Sequence, residues 1–92
     1  MINDNIELIH DATSVKKAVL VHHIDTKTYS LIHYDTEILA FNEDLEISKA
    51  LRCSPTSTKA INQVADHFGL NKTLIQKKMV QYTGFYKYPV GN

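Results

Sequence analysis

Five histidines, one cysteine and ten carboxylates are the groups in this chain that could bind a metal ion or move a proton. His22 and His23 are adjacent, and neighbours on an extended strand point to opposite faces, so the pair cannot share one ion. His22 and His33 could lie on one face of a hairpin within reach of Cys53. No C-x-x-C, H-x-x-x-H or H-E-x-x-H spacing accompanies them, so half-buried strand positions are expected instead of a metal site. Cys53 has no sequence partner at a spacing diagnostic of nucleophilic catalysis, and a lone cysteine usually packs as a small apolar residue. Asp35 and Glu37 point the same way along a strand, as surface carboxylates commonly do. Three glycines supply no phosphate-cradling loop. The expectation is a protein that is not an enzyme and carries no cofactor.

Binding chemistry is better represented. Residues 1–50 hold nine carboxylates against four lysines, a formal −5, and residues 51–92 hold six bases against Asp66 alone, a formal +5. Such a split suits docking on a charged macromolecule, or a homodimer in which the halves complement each other. The acidic candidates are Asp35, Glu37, Glu43, Asp44 and Glu46, which could imitate nucleic acid toward a basic site on a host protein or protein complex. The basic and aromatic candidates are Lys72, Gln76, Lys77 and Lys78, followed by Phe85, Tyr86, Lys87 and Tyr88 in the tail "YTGFYKYPV". Rings alternating with a cation can stack on bases, but they also suit packing or protein contact.

"VADHFGLNKTLIQKKM", residues 64–79, has the outline of a helix-turn-helix. On that reading Lys72, Thr73, Gln76 and Lys77 face the major groove of duplex DNA and Lys78 lies near phosphate. Two features oppose it. Lys78 stands where the second helix usually buries an aliphatic residue, and only strands lie upstream, where a third helix should complete the core. Two helices packed on a sheet account better for the stretch, leaving a DNA-binding regulator as the alternative function.

The elements that must position these residues can be read from periodicity. The chain has 92 residues, 43% hydrophobic and 22% charged, which suits one domain spanning 1–92. "VKKAVLVHHID" (15–25), "TKTYSLIHYDTEILAFN" (26–42) and "LEISKALRC" (45–53) are β-branched and aromatic, with turn signals at Asp35-Thr36 and at "NED" (42–44). A hairpin with its loop near Thr26-Lys27 places Leu20, His22 and Ile24 on one face with Tyr29, Leu31 and His33. Leu45, Ile47 and Leu51 are expected together on one side of the next strand, while "IELIH" (6–10) could form an edge strand. From "SPTSTK" (54–59) the period changes, with Thr56, Ser57 and Thr58 offering a helix cap. Ile61, Val64, Ala65 and Phe68 form one apolar helical stripe that Gly69 terminates. Asn71 caps a second helix carrying Leu74, Ile75, Met79 and Tyr82, which Gly84 ends. The predicted fold is α+β: a small antiparallel sheet of about three to five strands, followed by two α-helices packed on one face. Residues 6–53 are β-rich, 57–83 helical and 84–92 an aromatic tail. No apolar run nears the ~18 residues of a membrane span, and "MINDNIELIHD" lacks the basic start of a secretory signal. With a single cysteine, this points to a cytoplasmic protein, in the host cell if it is viral.

Two segments resemble a short domain found in phage, prophage and archaeal-virus proteins. Members pair a strand of the type Tyr-Ser/Asp-Thr-x-Ile-Ala with a helix opened by Ser-x-Thr-Thr-x-Lys-His-Ile-Asn. Tyr34, Asp35, Thr36, Ile38 and Ala40 match the first element. Ser54, Thr56, Lys59, Ile61 and Asn62 match the second, with Ser57 where threonine is usual and Ala60 where histidine is frequent. The likeness covers roughly residues 28–70. It implies a viral or mobile-element origin and a first helix packed on the sheet, with specific binding placed after Leu70. The expected function is therefore a small binding protein that docks on a host macromolecule as an inhibitor of host defence or host machinery.

Overall fold

Short runs with aliphatic or aromatic side chains at alternate positions make strands, and five of them follow one another before the first helix. The computed structural model describes residues 5–82. Strands β1 (Ile6–Ile9), β2 (Ala18–His23), β3 (Thr28–His33), β4 (Thr36–Asn42) and β5 (Ile47–Arg52) form an antiparallel meander. Helices α1 (Pro55–Phe68) and α2 (Lys72–Lys78) follow, and β6 (Met79–Gln81) closes the described chain. β6 lies parallel to β5, so the sheet has six strands in the order β1-β2-β3-β4-β5-β6 and is mixed. The α+β class agrees with the sequence pattern, while the strand number and the purely antiparallel arrangement are corrected. "IELIH" does supply an edge strand.

The extra strand comes from residues that the helical period assigns to the second helix. Met79 is extended (φ −70, ψ 129) and its N–H donates to the Gln76 carbonyl, so α2 stops at Lys78 instead of reaching Tyr82. Val80, which is β-branched, then pairs with Leu51. A parallel neighbour requires a crossover of a dozen residues or more, and the helices provide it.

The hairpin register matches expectation, with Leu20 opposite Leu31 and His22 opposite Tyr29. Ile24 lies beyond the end of β2 and is exposed. Two register shifts alter the rest. On β4 the shift falls at Ile38, and because one extra residue reverses the alternation there, both Ile38 and Leu39 enter the core. On β5 the shift falls at Ser48, so Ile47 joins the core cluster and Leu51 faces away from it. Leu45 precedes β5 with a φ of 65 and is exposed, so the expected Leu45–Ile47–Leu51 face does not form.

α1 begins two residues before the predicted helical start. Ser54 is extended (φ −151, ψ 165) and its Oγ accepts the Ser57 N–H at 3.1 Å, which makes it the cap in place of Thr56, Ser57 or Thr58. Pro55 fits the first turn, where its missing N–H is not needed. Ser57 is buried and its hydroxyl meets His33 Nδ1 at 2.8 Å. At the other end Gly69 adopts φ 75, and a Cβ there would meet nothing within 4 Å, so its backbone conformation alone favours glycine.

Ala60, Ile61, Val64 and Ala65 of α1 are each at most 1% exposed and form one cluster with Leu20, Leu31, Leu39, Phe41 and Ala50 of the sheet. Leu70 and Ile75 complete it. Gln63 ties the β1–β2 connection to the same helix, its Oε1 accepting from Thr13 Oγ1 at 2.6 Å and Ser14 N at 2.8 Å. Among the described residues no helix is long and apolar enough to cross a membrane. Because Ile61 is fully enclosed between helix and sheet, Ile61→Ala is expected to cost about 2–5 kcal/mol in urea unfolding. A loss below about 1 kcal/mol would mean that the side chain is not packed there.

Candidate functional site

Alternate turns of a meander fall at the same end of the sheet. The β2–β3 turn and the β4–β5 turn therefore lie together, beside the start of β1. Glu7, Asp25, Glu43, Asp44 and Glu46 converge at this end, with Lys27 as the base in their turns. The geometry of the larger turn is held from within. Asn42 Oδ1 accepts the N–H groups of Asp44 and Glu46, each at 2.9 Å, and Asn42 Nδ2 donates to Glu46 Oε1 at 2.8 Å. Glu43 N donates to the Lys27 carbonyl at 3.0 Å, which binds the two turns to each other.

A cross-strand row connects this end to the core. Glu7, His22, Tyr29 and Phe41 stand directly opposite one another on β1 to β4. The His22 and Tyr29 rings stack at 4.3 Å and 7°, Tyr29 and Phe41 at 4.9 Å and 12°, and Phe68 of α1 packs against both tyrosine and phenylalanine. His22 Nε2 lies 2.8 Å from Glu43 Oε2 and Nδ1 lies 3.3 Å from Glu7 Oε1. The hydrogen bond to Glu43 is the main reason the imidazole pKa rises above its ordinary 6.5; burial opposes it, and Glu7 adds to the rise. With a carboxylate at each nitrogen, His22 is a clasp between strands and has no nitrogen left to act as a base on a substrate. Burial, and then the same two carboxylates, push the Tyr29 phenol up.

The structure divides the acidic residues that the sequence grouped. Glu43, Asp44 and Glu46 stay together and gain Glu7 and Asp25. Asp35 and Glu37 sit at the far end of β4, roughly 20 Å away by strand length. Glu37 Oε1 also accepts from Lys49 Nζ at 2.8 Å. Glu7 could have been found by pairing "IELIH" with β2, which sets it opposite His22.

The basic candidates are dispersed too. Lys72 Nζ pairs with Asp66 Oδ1 at 2.7 Å across the interhelical turn, and Gln76 Oε1 accepts from Arg52 Nη2 at 3.3 Å. Lys77 and Lys78 are exposed in the last turn of α2, a helix of seven residues whose Ile75 is sunk in the common core. Phe85, Tyr86, Lys87 and Tyr88 lie outside the described residues. His22 and His33 sit near opposite ends of the β2–β3 hairpin, since His33 pairs with Ala18. Among the described residues no group of three or more His, Cys, Asp or Glu is placed to hold a metal ion. Burial raises the Cys53 thiol pKa, which works against thiolate chemistry. No protein-family model matches this chain, and neither a curated protein nor a solved structure matches it.

The His22 clasp has a definite pH signature. A histidine whose pKa is raised by folding contributes stability that is fully present below its unfolded value and is lost as pH rises through its folded value. Between about pH 6 and pH 8, wild-type protein should lose unfolding free energy relative to His22→Gln. In an NMR titration the His22 ring should move toward ordinary imidazole behaviour in Glu43→Gln. Parallel pH profiles for wild type and His22→Gln would show that the clasp is not formed.

Proposed function

We propose that this chain is a small non-enzymatic binding protein, encoded by a virus or prophage, that docks on a host protein or protein complex in the host cytoplasm. It captures a basic site there and so inhibits host defence or host machinery. The observation that carries the reading is the convergence of Glu7, Asp25, Glu43, Asp44 and Glu46 at one end of the sheet, where the Glu43 N–H to Lys27 carbonyl hydrogen bond joins two turns and Asn42 holds one of them from within. Carboxylates on a preset turn need little reordering on contact and create a field that steers a cationic partner. The viral origin rests on the likeness of residues 28–70 to the phage and prophage domain.

The helix-turn-helix alternative is less well supported. Lys72 is already paired, α2 spans about two turns, and Ile75 anchors it to the core that α1 shares with the sheet.

Asp25→Lys with Asp44→Lys reverses two of the five charges and so neutralises this end, while leaving the His22 clasp intact. Used as bait in a host lysate, with nucleic acid digested in a parallel sample, the wild type should retain a protein that the double variant loses. Identical capture by both baits would reject the acidic surface. Capture that disappears on digestion would move support to DNA binding.

A further inference from the structure

The opposite end of the sheet carries the complementary chemistry. The β3–β4 turn presents Tyr34, which is 71% exposed, an unusual setting for so large a ring. Tyr34 has a φ of 60, and its N–H donates at 2.8 Å to the carbonyl of Lys17, whose φ is 66. Lys27 and Leu45 are left-handed in the other turns as well, so this backbone conformation belongs to the tight turns of the meander and here serves to hold the Tyr34 backbone against Lys17. The His33 ring lies 4.7 Å from the tyrosine ring and is tilted by 51°, supporting it from behind.

Two clefts lie around the start of α1, and the first of them reaches the tyrosine. One, of about 550 Å³, is lined by Lys16, His33, Tyr34, Thr56 and Lys59 among others. The second, of about 560 Å³, includes Arg52, Thr58, Lys59, Asn62 and Gln81. They meet at Ser54 and Lys59, on either side of the first turn of α1, and among the described residues no carboxylate lines either one. Asp35, next to Tyr34, is the opposing charge on the turn.

The geometry points to a binding site for single-stranded nucleic acid, with a base stacked on Tyr34 and the backbone phosphates passing Lys16, Lys59 and Arg52 along the two clefts. Cations alone would also suit an acidic peptide. An exposed ring beside them favours a strand whose bases are free to stack. A rigid duplex keeps its bases stacked on one another and cannot use the ring. Site volumes in this range accommodate a nucleotide-sized group. The surface is separate from the acidic end, and the inference does not depend on the function proposed above.

Fluorescence anisotropy of the full chain with a labelled oligo-dT of about 12 nucleotides tests this directly. Binding should weaken with salt at a log–log slope near −2, as about three phosphate contacts require. Tyr34→Ala should weaken it roughly tenfold and Tyr34→Phe should retain it, since only the ring is needed. Lys59→Glu should weaken binding and flatten the salt dependence. Asp35→Asn should strengthen it, and Asp25→Lys with Asp44→Lys should leave tyrosine dependence unchanged. The site would be overturned by no binding at low salt, by equal affinity in folded Tyr34→Ala, by equal affinity for the matching duplex, or by equally effective competition from polyglutamate.

Discussion

Burial of the α1 stripe against the sheet is the constraint from which the other features follow. Ile61, Val64 and Ala65 meet Leu31, Leu39 and Phe41 in one enclosed cluster, and removing such side chains from water contributes roughly 1.5–3 kcal/mol apiece for the larger ones. With α1 fixed in this way, the left-handed Gly69 turns the chain back so that Leu70 enters the same core. α2 then returns with Ile75 buried, and β6 completes the crossover beside β5. The helix pair is a lid on the sheet. It is not a freestanding reading head.

The meander also sorts charge. Its turns alternate between the two ends, so residues close in sequence, such as Glu37 and Glu43, are sent far apart, and residues distant in sequence, such as Glu7 and Glu43, meet at one histidine. Charge is sorted by sheet end and not by chain half: Glu43, Asp44 and Glu46 gather around the turn held by Asn42, while Lys16, from the acidic half, joins Arg52 and Lys59 around the start of α1, at the end that also holds Asp35 and Glu37. The aromatic row from His22 through Tyr29 and Phe41 to Phe68 couples the acidic end to the packed interior. The turns there are consequently parts of a rigid body, which lowers the ordering cost of any docking they perform.

What could be read in the chain was whatever a local period encodes. The β2–β3 hairpin, the α1 stripe, the Gly69 stop and the Asn71 cap all depend on side chains within about one or two turns or strand lengths of each other. Register shifts do not have that property. Nothing adjacent to Ile38 signals that β4 carries one residue more than β3 opposes, and the same is true of Ser48, so an unbroken alternation puts Leu51 on the Ile47 face, where the folded strand does not place it. Met79–Gln81 fit a helical period equally well until an open edge of β5 is available to pair with Val80. The acidic surface was half legible for the same reason: Glu43, Asp44 and Glu46 share a turn, whereas Glu7 and Asp25 arrive through pairing. The exposure of Tyr34 has no local signal either, because it depends on where the β3–β4 turn sits in the folded sheet.

The most direct test of the helix-on-sheet account is native-state hydrogen exchange of the intact chain. The amides of Ile61, Val64 and Ala65 should exchange with the same opening free energy as those of Leu39 and Phe41, because one core encloses them all. If the 61–79 amides instead opened together at clearly lower free energy while the β4 amides stayed protected, the helices would be an independent unit and the account would be contradicted.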